Sequence, residues 1–184
     1  MVSSELYNLF LKCKGISTDT RKIQNDSLFF SLKGENFDGN NYALEALKKG
    51  AKYAVVDNNN HNNPNFIKVE DALVSLQNLS TYHRSKLTST RIIAITGSNG
   101  KTTTKELIHH IFSKKYKTTS TIGNLNNHIG VPLTLLKINE DSDFAIVEMG
   151  ANHIGEIKFL TNLIKPDIGY ITNFGKAHLE GFGG

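Results

Sequence analysis

AITGSNGKTTTKE, residues 94–106, is the stretch that decides the fold of the second half of this chain. It connects residues 91–95, a mainly hydrophobic segment that predicts a buried strand, to residues 105–114, whose apolar side chains recur at helical spacing. Gly97 and Gly100 lie in the turn between them. Glycines let the backbone turn tightly and bring its N–H groups close to an anion at the positive end of a helix. This order of strand, glycine turn and helix indicates a polyphosphate-binding loop.

Polar residues in the same loop fit the chemistry of ATP and its Mg²⁺. Lys101 can neutralise the outer phosphates, and the hydroxyl of Thr102 can ligate the metal. A full Walker pattern would require glycine at position 95, where Ile95 stands, so the loop is a shortened one. The alternative is a solvated turn before a helix, since Thr-Gly-Ser-Asn-Gly is ordinary turn chemistry. The strand, loop and helix context favours phosphate binding.

Composition sets modest bounds on the class of protein. The 184 residues suffice for one or two domains, and 21 Lys and Arg against 17 Asp and Glu give a net charge of +4. This charge suits phosphorylated ligands, but no dense basic block of the kind that nucleic acid needs is present. The single cysteine, Cys13, excludes an internal disulfide, and no segment has the length of a membrane span. The sequence therefore predicts a cytoplasmic protein with neither nucleic acid nor membrane as partner, and we expect a monomer.

Two halves differ in their hydrophobic pattern. The first predicts helices 4–13, 42–49 and 71–86 and strands 27–32, 53–57 and 66–69, followed by a linker at 86–90. The second alternates strands 91–95, 117–121, 143–148 and 168–172 with helices 102–114, 132–138 and 154–164, as a parallel α/β sheet does. We expect domains at 1–88 and 89–184. Because the chain stops in the glycine-rich HLEGFGG without a closing helix, we also expect an incomplete sheet and a fragment of a longer polypeptide.

Two further polar residues follow strands of the predicted sheet, where parallel α/β proteins place their sites. Glu148 ends strand 143–148 and can reach a metal at the phosphate loop, although it could instead cap the next helix. His178 follows strand 168–172, and a lone loop histidine is more often solvated than a ligand. Together with Thr102 they offer the oxygen and imidazole ligands that Mg²⁺ or Mn²⁺ accepts.

Four segments of the second half, in this order, resemble the Mur ligase family. They are TGSNGKTTTKE, GNLNNHIGVPLTLL (123–136), VEMGANHIGEI (147–157) and AHLEGFG (177–183). In the first half, STDTRKI (17–23) and LKGENFDGNNYALEALKKGA (32–51) resemble the uridine-nucleotide-binding domain of the same family. GNLNNHIG and EMGAN resemble the members that add the last stem dipeptide, whereas members that add earlier residues usually carry a Ser-Ser pair after the strand-end glutamate.

The resemblance implies an α/β fold with a small N-terminal uridine-nucleotide-binding domain and a P-loop parallel-sheet ATP-binding domain, truncated here, with the C-terminal amino-substrate domain absent. The implied activity is that of an ATP-dependent ligase of peptidoglycan precursor synthesis, with ATP and Mg²⁺ as cofactors. It would join D-Ala-D-Ala to UDP-MurNAc-tripeptide through an acyl phosphate. The resemblance further implies that the parent protein is the enzyme and that this piece is inactive by itself.

Site residues carry over from the family by position. The resemblance places Lys101, Glu148 and His178 in catalysis, and Thr102, Glu148 and His178 on the metal ions. It leaves open which asparagine of the loop 124–127 contacts substrate, and in the first half Asp19 and Arg21 could pair only with each other, while Asp38-Gly39 could be a plain turn. The residues so implied are Gly97, Ser98, Asn99, Gly100, Lys101, Thr102 and Thr103 for the ATP phosphates, and Ser17, Asp19, Thr20, Arg21, Asp38, Gly39, Asn124, Asn126 and Asn127 for the substrates.

Two alternatives stay open at the level of sequence. One is another Mur-type ligase, of the folate or earlier stem-peptide class, which EMGANH and the uridine-type first half disfavour. The other is a non-catalytic nucleotide-binding or regulatory module.

Overall fold

The computed structural model describes residues 3–58 and 63–175. The chain divides into two compact units, Met1–Tyr82 and His83–Gly184. Each unit contains a parallel four-stranded sheet, so the fold is of the α/β class that the alternation of strands and helices predicts.

The first unit is built around the sheet order β1-β2-β5-β6. A small antiparallel hairpin, β3 and β4, stands apart from that sheet. Apolar residues of β2, α2 and β5 form the core of this unit, with Phe29, Ala43 and Ala54 almost fully buried. The elements are α1 (Ser3–Phe10), β1 (Ile16–Ser17), a 3-10 turn (Thr20–Lys22), β2 (Leu28–Phe30), β3 (Lys33–Gly34), β4 (Phe37–Asp38), a second 3-10 turn (Gly39–Tyr42), α2 (Ala43–Lys48), β5 (Tyr53–Val56), β6 (Phe66–Lys68) and α3 (Ala72–Lys86), within which the two units divide.

The strands of the first unit differ from the sequence prediction in two ways. The strand expected over 27–32 is shorter, because Leu32 N donates to Phe30 O (3.0 Å) and the chain turns out of the sheet there. Strands β1, β3 and β4 have two residues each, too few to produce a period-two pattern, and were not predicted.

The second unit contains the sheet order β10-β7-β9-β8, all parallel. Every predicted strand and helix of this half is present, with ends shifted by a few residues. No helix within 3–58 and 63–175 combines the length and the apolar character that crossing a bilayer demands. The elements are β7 (Arg91–Thr96), α4 (Lys101–Phe112), β8 (Thr118–Ser120), α5 (Gly130–Leu135), β9 (Phe144–Glu148), α6 (Glu156–Ile164) and β10 (Ile168–Ile171).

Helices cover both faces of this second sheet. Alternate residues of β7 enter different core clusters: Ile92 and Ala94 pack with residues of α5 and α6. Ile93 and Ile95 lie in the other cluster, against the apolar side of α4. A central strand buried on both faces reads as an uninterrupted apolar run, which is the pattern of residues 92–95.

The connections reverse direction between β7 and β9. From β7 the chain passes through α4 to β8, beyond β9, whereas from β9 it passes through α6 to β10 on the far side of β7. Ile95 pairs with Glu148 at the carboxyl ends of these two strands. Open α/β sheets bind ligands in the crevice at such a reversal. The phosphate-loop sequence and Glu148 therefore meet at the position where the topology predicts a site.

Candidate functional site

Backbone conformation explains the two glycines of the loop. Gly97 has φ +134° and Gly100 has φ +77°, both in the region that side-chain-bearing residues rarely adopt. A Cβ on Gly97 would also collide with the hydroxyl of Thr172, while Gly100 has open space around it. Ile95 is fully buried within β7, so position 95 still belongs to the sheet and the loop is shorter than the usual pattern.

The loop delivers positive charge to the start of α4. Lys101 Nζ donates to Gly97 O (2.6 Å) and Ser98 O (3.3 Å), so its ammonium lies over the loop. Thr104 N donates to Gly100 O (2.9 Å), the first backbone bond of the helix. The N–H groups that precede it have no acceptor within the helix, and together with the helix dipole they form an anion site.

The segment that follows β10 holds the same loop from outside. Asn173 accepts the N–H of Ser98 on its backbone oxygen (3.2 Å) and that of Asn99 on Oδ1 (3.1 Å). Thr172 Oγ1 donates to Asn99 O (2.6 Å), and Ser98 Oγ donates to Gly175 O (3.0 Å). The backbone N–H groups of Ser98 and Asn99 are thus occupied within the protein. The groups that can bind an anion are those of the first turn of α4, including exposed Thr103, and the ammonium of Lys101.

Glu148 joins this loop to the neighbouring strand. The residue is buried; its Oε2 accepts from Thr102 Oγ1 (2.9 Å) and its Oε1 accepts from Asn126 Nδ2 (2.9 Å). The alternative role as a cap of the next helix is wrong. The helix α6 begins after Gly155 without a side-chain cap. Glu156 Oε2 instead accepts the N–H groups of Asn152 (2.6 Å) and His153 (3.0 Å) in the turn before the helix, which lowers the pKa of Glu156.

Lys105 is the site residue that sequence reasoning missed. Its side chain is fully buried, and Nζ donates to Thr121 O (2.7 Å), pairs with Glu106 Oε1 (2.9 Å) and lies 3.8 Å from Glu148 Oε2. A sequence signal existed: Lys105, Ile108 and Phe112 have the spacing of one helix face, so this lysine stands at a core position of α4.

The three asparagines of the loop 124–127 have different roles. Asn126 contacts Glu148 and accepts the N–H of Gly150 (2.8 Å), whose missing side chain makes room for the Asn126 amide. Asn127 Oδ1 accepts the N–H groups of Ile129 (3.1 Å) and Gly130 (2.9 Å) and so caps α5. The Asn124 side chain makes no hydrogen bond to the part of the chain that the structure describes.

A cleft of about 690 Å³ opens beside the loop. Amide and imidazole groups dominate its lining, which suits a ligand rich in phosphate and carboxylate oxygens. The lining includes Lys101, Asn124, Asn126, Asn127, His128 and His153.

Thr102 and Glu148 offer a hydroxyl and a carboxylate oxygen 2.9 Å apart, the hard donors that Mg²⁺ prefers. Within 3–58 and 63–175 no group of three or more His, Cys, Asp or Glu side chains forms a metal cage. Mg²⁺ is usually held by one or two protein oxygens together with substrate phosphates, so this donor pair fits a nucleotide-bound ion. His178, the third predicted ligand, lies outside the described residues.

A separate cleft of about 600 Å³ lies in the first unit. Its lining brings together the two segments that resemblance assigns to the uridine nucleotide, including Asp19, Thr20, Arg21 and Gly39. Half-exposed rings of Phe37 and Tyr42 complete it. Gly39 is required because a Cβ there would meet the backbone oxygen of Leu32.

Asp19 and Arg21 also pair with each other, as the alternative interpretation expected. Arg21 donates from Nε (2.9 Å) and Nη2 (2.8 Å) to the Asp19 carboxylate, and this lowers the pKa of Asp19 to about 2. Ser17 and Asp38 bond locally instead of lining the cleft: Ser17 Oγ donates to Asp19 O (2.9 Å), and Asp38 Oδ1 accepts from Asn40 N (2.9 Å).

Comparison with known families matches both halves of the chain. Residues 12–85 match the Mur ligase family, catalytic domain, and residues 95–184 match the Mur ligase middle domain. The chain is 43% identical over 172 residues to UDP-N-acetylmuramoyl-tripeptide--D-alanyl-D-alanine ligase of Bacillus subtilis (strain 168), covering 92% of this chain and 37% of that relative. It is 38% identical over 183 residues to the enzyme of the same name of Escherichia coli (strain K12), covering 100% of this chain and 40% of the relative.

Solved structures give the same result. MurF from Acinetobacter baumannii superposes with a TM-score of 0.88 at 35% identity, covering 100% of this chain and 43% of that one. MurF from Thermotoga maritima, solved in complex with ADP, superposes with a TM-score of 0.79 at 31% identity, covering 92% of this chain and 39% of that one. The chain thus spans about two fifths of the length of the proteins that it resembles.

Proposed function

Because the chain belongs to the Mur ligase family, we propose that it supplies the uridine-nucleotide and ATP sites of an ATP-dependent ligase that joins D-Ala-D-Ala to UDP-MurNAc-tripeptide. The observation that carries the proposal is the contact of Thr102 and Asn126 with buried Glu148, beside the glycine loop and at the reversal of the sheet. The relatives named for this reaction match across both units, which supports the same assignment for the first cleft.

The proposed chemistry needs activation of a carboxylate, which is a poor acyl donor. The γ-phosphoryl group of ATP passes to the terminal carboxylate of the tripeptide, giving an acyl phosphate and ADP. The amine of D-Ala-D-Ala then attacks the acyl carbon, so that the new C–N bond forms, phosphate leaves and the amine loses a proton.

Catalysis of phosphoryl transfer depends mainly on positioning the reactants and neutralising charge, and it requires no protein nucleophile. The first-turn N–H groups of α4 and the ammonium of Lys101 hold the phosphates. Thr102 and Glu148 would hold Mg²⁺, which would offset the negative charge of the phosphates. Asn126 fixes the direction of the Glu148 carboxylate, and exposed Asn124 faces the cleft for a substrate group.

The first unit takes the uridine nucleotide in this proposal. Its cleft presents the aromatic rings of Phe37 and Tyr42 beside Arg21 and the hydroxyl of Thr20, which suits a base and a diphosphate. The proposed setting is cytoplasmic and monomeric.

Ligand titration of the chain tests this function. We expect UDP-MurNAc-tripeptide to bind, with Arg21→Ala weakening it and Lys22→Ala, an exposed neighbour outside the lining, leaving the affinity unchanged. UDP-MurNAc-L-Ala should bind more weakly and tetrahydrofolate not at all. Preference for the shorter precursor or for the folate would assign the chain to a different ligase of the family.

A further inference from the structure

Lys105 is a fully buried lysine whose charge the proposed reaction does not use. Lysines are almost never fully buried unless they are paired. Of its two carboxylate neighbours, Glu106 has a side chain that is 58% exposed, so water screens that pair. Glu148 has a side chain that is 2% exposed and lies 3.8 Å away, so its interaction with Lys105 is the less screened of the two.

Glu148 needs a positive charge nearby. Its hydrogen bonds from Thr102 and Asn126 come from neutral donors. A buried carboxylate held only by neutral groups costs several kcal/mol, and an ion of opposite charge offsets that cost. Lys101 does not serve here, because its ammonium bonds to the carbonyls of Gly97 and Ser98.

We propose that Lys105 is the resident counter-ion of Glu148, a positioning residue that balances this carboxylate before any metal arrives and so makes cation binding at Glu148 dependent on the nucleotide. The inference rests on the proposed role of Glu148 as a metal ligand. The ammonium of Lys105 repels a divalent cation approaching the same oxygen. Phosphate groups bound at the start of α4 bring enough negative charge to overcome that repulsion, so metal and nucleotide bind together.

Binding of Mn²⁺ without nucleotide tests the inference, with free Mn²⁺ followed by electron paramagnetic resonance. Lys105→Gln keeps a donor for Thr121 O but removes the charge. We expect it to bind Mn²⁺ at least about tenfold more tightly than the parent chain, because a cationic neighbour of the ion is gone. Lys114→Gln, which removes an exposed charge just beyond the same helix, should bind Mn²⁺ as the parent does. Adding Glu148→Gln to Lys105→Gln should abolish the gain.

Thermal unfolding supplies a second readout of the pair. Lys105→Gln should lower the unfolding midpoint by at least about 6 °C, since one partner of a buried ion pair is left alone. The double variant Lys105→Gln/Glu148→Gln should recover most of that loss. If the single variant does not fold at the assay temperature, a folded double variant still supports the coupling.

Three results would overturn the inference. They are Mn²⁺ affinity of Lys105→Gln equal to or below that of the parent, a double variant no more stable than the single one, or a double variant that fails to fold. The proposed function fails in a different way. In that case the parent chain shows no Glu148-dependent Mn²⁺ binding even with ADP present. This result would remove the metal role of Glu148, and with it the role of Lys105 in metal binding.

Discussion

The hydroxyl of Thr102 links the start of α4 to the end of β9. Thr102 starts the first turn of α4 with Lys101 and donates to Glu148 Oε2 across the crevice (2.9 Å). These two oxygens would hold the metal ion, and the first turn of α4 would supply the N–H groups for the phosphates.

Thr102→Val should weaken ADP binding in the presence of Mg²⁺ by about 1–3 kcal/mol, because a metal-ligating hydroxyl is lost at nearly constant volume. With EDTA, the variant and the parent chain should bind ADP equally. Calorimetry measures both conditions. Thr88→Val, at an exposed position outside the loop and α4, is the matched control. An equal loss in both variants, or a loss that persists in EDTA, would contradict the metal role of Thr102.

In the first unit, the buried carboxylate of Asp57 joins three separate segments. Its side chain is 8% exposed; Oδ1 accepts from Lys33 Nζ (2.8 Å) and Asn40 Nδ2 (2.8 Å), and Oδ2 accepts from Ala72 N (3.2 Å). Burial acts to raise the pKa of Asp57, but the bonds from Lys33, Asn40 and Ala72 outweigh it and the net pKa is lowered.

Asp57→Asn should therefore lower the free energy of unfolding by about 2 kcal/mol at neutral pH. Because the folded pKa lies below the unfolded one, the stabilisation is present above the ordinary carboxyl range and disappears as pH falls through the lower, folded value. Urea unfolding at a series of pH values measures this, and the difference between variant and parent should shrink towards acid. Asp141→Asn, at an exposed pair with Lys117, should change little. A difference that grows towards acid would contradict the assignment.

At the scale of elements, the strand-loop-helix unit β7–α4 depends on a close approach between two loops. Gly97 lies at φ +134° against Thr172, which itself bonds to Asn99 O (2.6 Å). Any side chain at position 97 must strain the backbone and push the segment after β10 away from the loop.

Gly97→Ala should lower unfolding stability by about 1–2 kcal/mol and weaken ADP binding, since both the backbone conformation and the packing are lost. Gly169→Ala is the matched control, because Gly169 lies in β10 with open space and an ordinary φ. Chemical denaturation and calorimetry of the two variants check the difference. Equal behaviour of the two would show that the contact with Thr172 does not shape the loop.

The same elements show what sequence can and cannot predict. The alternation of apolar runs with amphipathic helices predicted every strand and helix of the second unit, since these elements are longer than the two-residue strands of the first unit that the pattern missed. The pairing of Thr102 with Glu148 also followed from sequence, because parallel strands end at one edge. The burial of Lys105 and the division of labour between Asn126 and Asn127 did not, since they depend on loop backbone positions that no periodicity encodes.

At the scale of the whole molecule, two clefts of different chemistry lie in two units of the chain. The cleft of the first unit combines aromatic rings with Arg21, and that of the second combines amides, imidazoles and Lys101. Each unit has its own core and its own sheet, so we expect the uridine nucleotide to bind in the first cleft and the ATP phosphates to bind in the second.

In the proposed function, the loop 97–103 binds the phosphates of ATP through Lys101 and α4, separately from the uridine nucleotide. Calorimetric titration of the parent chain and of Lys101→Ala, each with ATP in Mg²⁺ and with UDP-MurNAc-tripeptide, tests it most directly. We expect Lys101→Ala to lose about 1.5–3 kcal/mol of ATP binding, because a charge-assisted contact disappears, while the uridine ligand binds with unchanged affinity. Equal ATP affinity in both proteins, with the fold intact by circular dichroism, would show that Lys101 does not bind the ATP phosphates.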